Sequence, residues 1–286
     1  MRAITSLSLL ALGLLVGTAP VRAADIIDPI VEVPIATTGW YLRGDVGYVT
    51  RSKTSGDYEF WNQGYDKDGN RDLSAIGKDE TVHYDEIKLR DGASVGAGAG
   101  YRFSDQFRAD VTADYFKTDV DGRSDCAYLV EIGYNISPVD SGCRYNDSSE
   151  ATIWTLMANA YVDIAHFGPI TPYIGAGAGF AHVSYDTMNS STQCGTQPGC
   201  NGRPDDQGSH PGYDSWRFAG SLMAGATIDI TQQLKLDAGY RYTRISEGDA
   251  FGFDDADAAT GASGVQGRDH GFDLHTIRAG LRYDFF

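Results

Sequence analysis

The sequence predicts an all-β fold, an eight-stranded antiparallel up-and-down transmembrane β-barrel with long extracellular loops. Apolar and polar residues alternate with a period of two through eight segments of about ten residues, the mark of strands with one face in an apolar medium. The connections between these segments alternate between long and short, as they do in a barrel with one end outside the cell. After the first 23 residues, no apolar run approaches the ~20 residues that a membrane helix needs, so any span must be made of strands.

The opening stretch carries Arg2, an apolar run from Leu7 to Val16 and then Val21-Arg22-Ala23. This reads as a signal peptide over 1–23, cut before Ala24. Residues 24–38 contain Pro29 and Pro34, which disfavour both a helix interior and a central strand. They read as an N-terminal leader on the periplasmic side, followed by the barrel over 39–286.

In the first strand Trp40, Leu42, Gly44, Val46 and Tyr48 oppose Tyr41, Arg43, Asp45 and Gly47. The second sets Ala93, Val95, Ala97, Ala99, Tyr101 and Phe103 against Ser94, Gly96, Gly98, Gly100 and Arg102. After a turn at Ser104-Asp105-Gln106, the third sets Phe107, Ala109, Val111, Ala113 and Tyr115 against Arg108, Asp110, Thr112 and Asp114, and pairs with the second as a hairpin. Trp154, Leu156, Ala158, Ala160 and Val162 oppose Thr155, Met157, Asn159, Tyr161 and Asp163 in the fourth. The fifth, beyond Phe167-Gly168-Pro169, sets Ile174, Ala176, Ala178 and Phe180 against Tyr173, Gly175, Gly177 and Gly179. In the sixth, Trp216, Phe218, Leu222, Ala224 and Ile228 oppose Arg217, Ser221, Thr227 and Asp229. In the seventh, after Thr231-Gln232-Gln233, Leu234, Leu236, Ala238, Tyr240 and Tyr242 oppose Lys235, Asp237, Gly239 and Arg241. The eighth sets Ile277, Ala279, Leu281, Tyr283 and Phe285 against Arg278, Gly280, Arg282 and Asp284. The four long connections are then roughly 40, 35, 30 and 25 residues, far above the usual loop length.

Alternation alone also fits a soluble barrel with its apolar face inward. The polar rows decide. They carry Arg43, Arg102, Arg108, Arg217, Lys235, Arg241, Arg278 and Arg282 against Asp45, Asp110, Asp114, Asp163, Asp229, Asp237 and Asp284. That is close to neutral in a chain whose formal net charge is -16, as a paired lumen network requires. Glycines 96, 98, 100, 175, 177 and 179 lie on the same face, where they make room for Tyr41, Tyr161, Tyr173 and Met223. Aromatic residues gather at the ends of the apolar rows, Trp40, Tyr101, Phe103, Phe107, Tyr283 and Phe285 below and Tyr115, Trp154, Trp216 and Tyr242 above. Such girdles belong at the two membrane interfaces.

Three of these segments, Trp40-Tyr41-Leu42-Arg43-Gly44-Asp45-Val46-Gly47-Tyr48, Pro172-Tyr173-Ile174-Gly175-Ala176-Gly177-Ala178-Gly179 and Ile277-Arg278-Ala279-Gly280-Leu281-Arg282-Tyr283-Asp284-Phe285-Phe286, carry a resemblance over nearly the whole mature chain. In this order they resemble the small eight-stranded outer-membrane barrel and surface-antigen proteins of Gram-negative bacteria, related to opacity-type porins. The resemblance implies location in the cell outer membrane, contact with lipopolysaccharide, and a C-terminal aromatic read by the barrel-insertion machinery. Tyr283 and Phe285 hold the lipid-facing register, and Phe286 is one residue extra.

The acidic balance argues against nucleic acid, whose phosphates it would repel. Cys126, Cys143, Cys194 and Cys200 suit an oxidising compartment. Three pairings are possible, and the two local ones, Cys126 with Cys143 and Cys194 with Cys200, are favoured as loop staples. No Cys or His spacing suits a metal, and no cofactor is expected. Gly96-Ala97-Gly98-Ala99-Gly100 lacks the last glycine of a dinucleotide loop, since Tyr101 stands there. The acidic stretch Glu247, Asp249, Asp254, Asp255 and Asp257 lacks EF-hand spacing and reads as a mobile, solvated loop. Its charge could instead be bridged by divalent ions to lipopolysaccharide.

No catalytic set is expected. His182 and Ser184, two apart on the lipid-facing side with Asp214 nearby, match the spacing of a lipid A deacylase, but a lone His near a strand end is more simply interfacial, as is His275. A small or gated channel is the alternative, against which eight strands leave an interior that side chains fill. The leading expectation is a non-enzymatic surface protein whose barrel anchors four loops for envelope integrity, adhesion, antigenic display or binding of an unknown extracellular ligand. Tyr58, Phe60, Trp61 and Tyr65 form the stickiest loop cluster, either an adhesive patch or the loop's own small core.

Overall fold

A strand edge left open in hydrocarbon would strand a row of N–H and C=O groups, so a sheet with one lipid-facing row must close on itself. The computed structural model describes residues 38–134, 136, 142–194 and 206–285. The expected signal peptide, all of the leader but Thr38, Cys200 and Phe286 lie outside the described residues. In chain order, β1 (Gly39–Thr50), β2 (Ser52–Asn62), β3 (Gly77–Leu89), β4 (Gly92–Arg102) and β5 (Phe107–Asp125) precede a short helix α1 (Tyr128–Gly133). Then come β6 (Arg144–Asp163), β7 (Ile170–Tyr185), β8 (Met188–Gln193), β9 (Asp206–His210), β10 (Asp214–Asp229), β11 (Leu234–Ile245) and β12 (Gly248–Gly252). Helix α2 (Asp255–Ala259), β13 (Val265–Asp269) and β14 (Phe272–Phe285) complete the order.

Among the described residues, eight of the fourteen strands close the barrel. The ring runs β1-β4-β5-β6-β7-β10-β11-β14, every neighbour antiparallel, and β14 returns to β1 with a register from Trp40 opposite Phe285 to Thr50 opposite His275. Each of the eight predicted segments coincides with one of these strands, except that Phe103, placed at the end of the second, lies just beyond β4. Trp40 is 65% exposed and its neighbour Tyr41 only 1%, and the same contrast separates the apolar row from the charged row around the ring. The apolar row therefore faces outward and the Arg and Asp rows are enclosed. The inward glycines provide room for the rings: a Cβ on Gly175 would lie 2.6 Å from the Tyr161 ring, and one on Gly100 would overlap that of Tyr41.

The three short turns sit at one end. Ser104 Oγ accepts from the amides of Gln106 and Phe107, and Thr231 Oγ1 accepts from those of Gln233 and Leu234, the local bonding that favours Ser and Thr in turns. Gly168, with φ of +62°, turns the chain between β6 and β7. The aromatic girdle at this end includes the pairs Trp40–Tyr101 (5.3 Å) and Tyr283–Phe285 (5.1 Å). The opposite girdle holds Tyr115–Trp154 (4.7 Å) and His182–Trp216 (4.9 Å).

Beyond that second girdle the structure departs from the expected loops. β5 and β6 have 19 and 20 residues and β7 has 16, so the sheet continues past the ten or so that cross hydrocarbon, and only 126–143 connect β5 to β6. Strand β3 adds to the upper half of β5, from Tyr84 opposite Ser124 to Leu89 opposite Val120, with β2 on β3 and β13 on β2. On the other side β8 pairs with the start of β6, and β9 with β8. The Cys126–Cys143 disulfide staples the top of the β5–β6 hairpin. Cys194 is also disulfide-bonded, and its expected partner Cys200 lies outside the described residues.

The inward row changes character at the same level. Val49 follows Gly47 on β1, Phe116 follows Asp114 on β5, and Ile153, Val183, Ile245 and Leu274 take the matching positions on β6, β7, β11 and β14. With Leu89 and Phe272 they form one buried apolar core inside the upper barrel. The interior is thus charged where the outside is greasy and apolar where the outside is wet, because above the membrane the sheet must bury apolar area in the ordinary way.

Candidate functional site

The lumen is a stack of ion pairs. Near the middle, Arg43 Nε and Nη2 form a bidentate pair with Asp45 at 2.9 and 2.8 Å, and Nη1 reaches Asp110 at 3.1 Å. Asp110 also accepts from the Tyr41 hydroxyl (3.1 Å), the Tyr161 hydroxyl (3.3 Å) and Asn159 Nδ2 (2.8 Å), and Arg278 Nη2 lies 2.8 Å from Asp45. Arg241 pairs with Asp114 at 2.7 Å one level up. Toward the short turns, Arg108 pairs with Asp163 at 3.2 Å, Arg282 with Asp237 at 3.4 Å and Asp284 at 3.2 Å, Arg102 with Asp284 at 3.3 Å, and Lys235 with Asp229 at 2.5 Å. The Arg108 Nη atoms have no hydrogen-bond acceptor, and the guanidinium lies instead over the Tyr161 and Tyr173 rings, its Cζ 4.3 and 4.7 Å from their centroids. Of the fifteen residues read as a lumen network, Asp229 is exposed at the short-turn mouth, and Arg217 stands apart at the other end, bound to Asp269 of β13 at 2.7 Å. A cavity of about 50 Å³ lies beside Asp45, Asp114, Arg241 and Arg278, where the charged interior meets Phe116 and Ile153.

Above the apolar core the four long connections enclose a cavity of about 990 Å³. With the long connections numbered in chain order from loop 1 (51–91) to loop 4 (246–271), loop 1 contributes Tyr58, Phe60, Trp61 and Tyr65 from β2 and the segment after it. The top of β5–β6 with α1 contributes Leu129, Tyr134, Tyr145 and Asp147, β8 and β9 contribute Met188, Ser190 and His210, and loop 4 contributes Phe251, Asp254 and Asp257. The aromatic cluster read in the first loop is therefore neither a free adhesive patch nor a private core. Three of its rings are half-buried cavity wall, and only Tyr65 is exposed. Trp61 ties this wall to loop 4 by donating to Thr260 Oγ1 at 2.9 Å and packing on Phe253 at 5.8 Å. A second tie, for which no local sequence signal exists, runs from Ser55 Oγ to His270 Nδ1 (3.0 Å) and from His270 Nε2 to Asp57 (3.0 Å).

The acidic stretch is not the mobile loop expected from its composition. Asp254 accepts from the Asp257 amide at 2.8 Å and caps α2, Asp257 accepts from Gln63 Nε2 at 2.9 Å, and Asp249 pairs with Arg268 at 3.1 Å. Burial pushes the Asp257 carboxyl above its ordinary range, and does the same to Asp147. Burial also raises the Tyr58 and Tyr84 hydroxyls.

On the outer wall His182 Nε2 meets Asp214 at 3.1 Å, and the imidazole packs against Trp216 within the upper girdle. Among the described residues Ser184 makes no hydrogen bond to His182, so the three do not form a nucleophile–base–acid relay. His275 hydrogen-bonds the Tyr240 hydroxyl in the same belt.

A family model described as an outer membrane protein beta-barrel domain matches residues 9–285. An uncharacterized protein of Brucella abortus (strain 2308) is 45% identical over 293 residues, covering 98% of each chain. An opacity protein of Neisseria gonorrhoeae is 41% identical over 98 residues, 31% of this chain and 41% of that one. Among solved structures, neisserial surface protein A is similar with a TM-score of 0.41 and 17% identity, over 86% of this chain and 97% of that one.

Proposed function

Because the chain belongs to the outer membrane protein β-barrel family, we propose that it is a non-enzymatic surface protein of the outer membrane whose barrel carries a rigid extracellular head that binds a ligand. The observation that carries this reading is the cavity of about 990 Å³, to which all four long connections contribute wall. A pocket of this size with an aromatic lining and a few convergent polar groups is what small-molecule recognition requires. The barrel below gives the head a fixed platform, since each of the four connections begins and ends on strands of one closed ring.

The channel reading finds less support. A permeant solute would have to displace the apolar core around Phe116, Ile153 and Phe272 and then the ion pairs of Arg43 and Arg282. The deacylase reading lacks a serine engaged by His182. The outward-facing pairs just beyond the upper girdle, Arg90–Asp121 (2.8 Å), Lys117–Glu150 (2.9 Å) and Arg244–Asp273 (3.1 Å), support contact with lipopolysaccharide head groups as part of this reading. The strand that closes the ring, β14, ends in the outward Tyr283 and Phe285 and suits reading by the insertion machinery.

The test is reconstitution of the mature chain in liposomes containing lipid A, with leakage of a trapped dye and the mass of the lipid followed together. Neither leakage nor loss of an acyl chain is expected. Steady leakage would replace this reading with a channel, and a shortened lipid A that depends on Ser184 would replace it with an enzyme.

A further inference from the structure

The wall of this cavity contains a carboxylate that the protein itself leaves incompletely bonded. Asp147, on the part of β6 above the membrane, is 7% exposed and lines the cavity. Its Oδ1 is sealed from solvent and has no hydrogen-bond partner. Burial raises its pKa against the opposing influence of Ser190, His210 and Tyr84, so the fold bears an unfavourable charge at this position. His210 Nδ1, in the same wall, is likewise buried without a partner.

The surroundings select the kind of group that could satisfy Asp147. The Tyr58 ring packs against Tyr84 at 5.6 Å and Tyr145 at 6.0 Å, and all three border the same space as the carboxylate. Aromatic faces carry negative quadrupole charge and attract cations, and they also cover methylene groups. Among the described residues that line the cavity there is no Lys or Arg, while Asp254 and Asp257 stand on the loop 4 side. An anionic ligand would meet carboxylates with no countercharge. A cation would meet the Asp147 carboxylate with no Lys or Arg beside it in the lining, π-faces and the field of a chain of net charge -16.

We propose that this cavity binds a protonated aliphatic amine of the di- or polyamine class, with one ammonium on Asp147 and the methylene chain along the Tyr58, Tyr84 and Tyr145 rings. The proposal rests on the reading of the head as a ligand-binding device and deepens it. An ammonium supplies the countercharge that no Lys or Arg of the cavity lining gives the Asp147 carboxylate, and its further charges are spaced by apolar carbons, as the carboxylates here are spaced by rings.

Calorimetry on the full chain in detergent micelles tests it, with spermidine as the cation and maltose as a neutral polyol of comparable reach. Spermidine is expected to bind saturably at one site, and Asp147→Asn to weaken it by on the order of 10–100-fold, the range for losing a hydrogen bond to a charged group. Tyr58→Leu should weaken it severalfold, whereas Asp105→Asn, in an exposed turn at the far end of the barrel, should leave it unchanged. Retention of the heat-modifiable folded band on electrophoresis checks that each variant is folded. Spermidine heat indifferent to Asp147→Asn would overturn the proposal, because it would report a polycation on a generally acidic surface. Binding of maltose in place of spermidine would also overturn it while leaving the ligand-binding head intact. Leakage or lipid cleavage, by contrast, would remove the underlying reading.

Discussion

Two glycines a short distance apart test which side of the sheet meets hydrocarbon. Gly100 on β4 faces the lumen, where an added Cβ would overlap the Tyr41 ring and come within 2.6 Å of its hydroxyl oxygen. Gly44 on β1 faces outward, and an added Cβ there would meet nothing within 4 Å. In both strands, replacing Gly by Ala reduces the freedom of the unfolded chain and stabilises by about 0.5–1 kcal/mol. That contribution cancels between the two variants, and what separates them is the overpacking at Gly100, about 1–3 kcal/mol. Tyr41 cannot swing away freely, since its hydroxyl is held by Asp110 at 3.1 Å and Arg282 lies 5.3 Å from its ring centroid. A difference of about 2 kcal/mol is roughly 30-fold in the folding equilibrium. Reversible urea titration of each variant in lipid vesicles, followed by tryptophan fluorescence, would measure it. Gly44→Ala should be as stable as the parent or slightly more so, and Gly100→Ala clearly less. If Gly44→Ala lost as much as Gly100→Ala, or more, the assignment of inner and outer rows would be wrong, and with it the lumen network.

Phe116→Ala, in the apolar core of the upper barrel, should lose about 3–5 kcal/mol in the same titration without admitting dye, because the ion pairs beneath it still fill the lumen; dye entry would show that the apolar core alone seals the barrel. Asp110→Ala removes the acceptor shared by Arg43, Tyr41, Tyr161 and Asn159, and should cost about 3–5 kcal/mol; a loss below ~1 kcal/mol would mean that water enters and satisfies these groups. Cys126→Ser opens a bridge between residues 17 apart and should destabilise the β5–β6 tip by about 3 kcal/mol, seen as faster hydrogen exchange around α1 with the membrane strands unchanged. Asp147 has a folded pKa raised above its ordinary 3.8, so its contribution to stability is complete below that value and is lost as pH rises through the folded pKa. Exchange protection of β6 and β8, corrected for intrinsic rates, should therefore fall from pH 4 to pH 7 in the parent and fall less in Asp147→Asn; equal slopes would argue against a strained carboxyl.

The membrane part of the fold was legible because lipid imposes a rule on every second residue. Leu42, Val46 and Ile277 must be apolar, and Arg43, Asp45 and Arg278 can be tolerated only inside. Above the upper girdle that rule ends. Lys117, Asp119 and Asp121 face water on β5 while Thr118 and Val120 face inward, so both rows of this stretch contain polar residues and the alternation fades. A residual signal was present in the apolar parity, which flips at consecutive large residues: Tyr115 outward then Phe116 inward, Trp154 outward then Ile153, His275 then Leu274. Each pair marks the level where the sheet leaves hydrocarbon. The cavity was only partly legible. Tyr58, Phe60, Trp61 and Tyr65 are conspicuous in a polar loop, but nothing local links them to Asp147 or Asp257. They meet only because β13 pairs with β2 and β8 pairs with β6.

The continuation of β5 past Phe116 to Asp125 also sets a height. Nine residues of strand at about 3.3 Å each, leaning at about 40°, lift the tip of that hairpin on the order of 23 Å from the hydrocarbon edge. A bilayer's head-group layer is only about 5–8 Å deep on each side. The opening is thus carried on a stiff stalk, clear of the zone where lipid phosphates and their counterions crowd the surface, and solutes arriving from outside encounter it before they encounter the membrane.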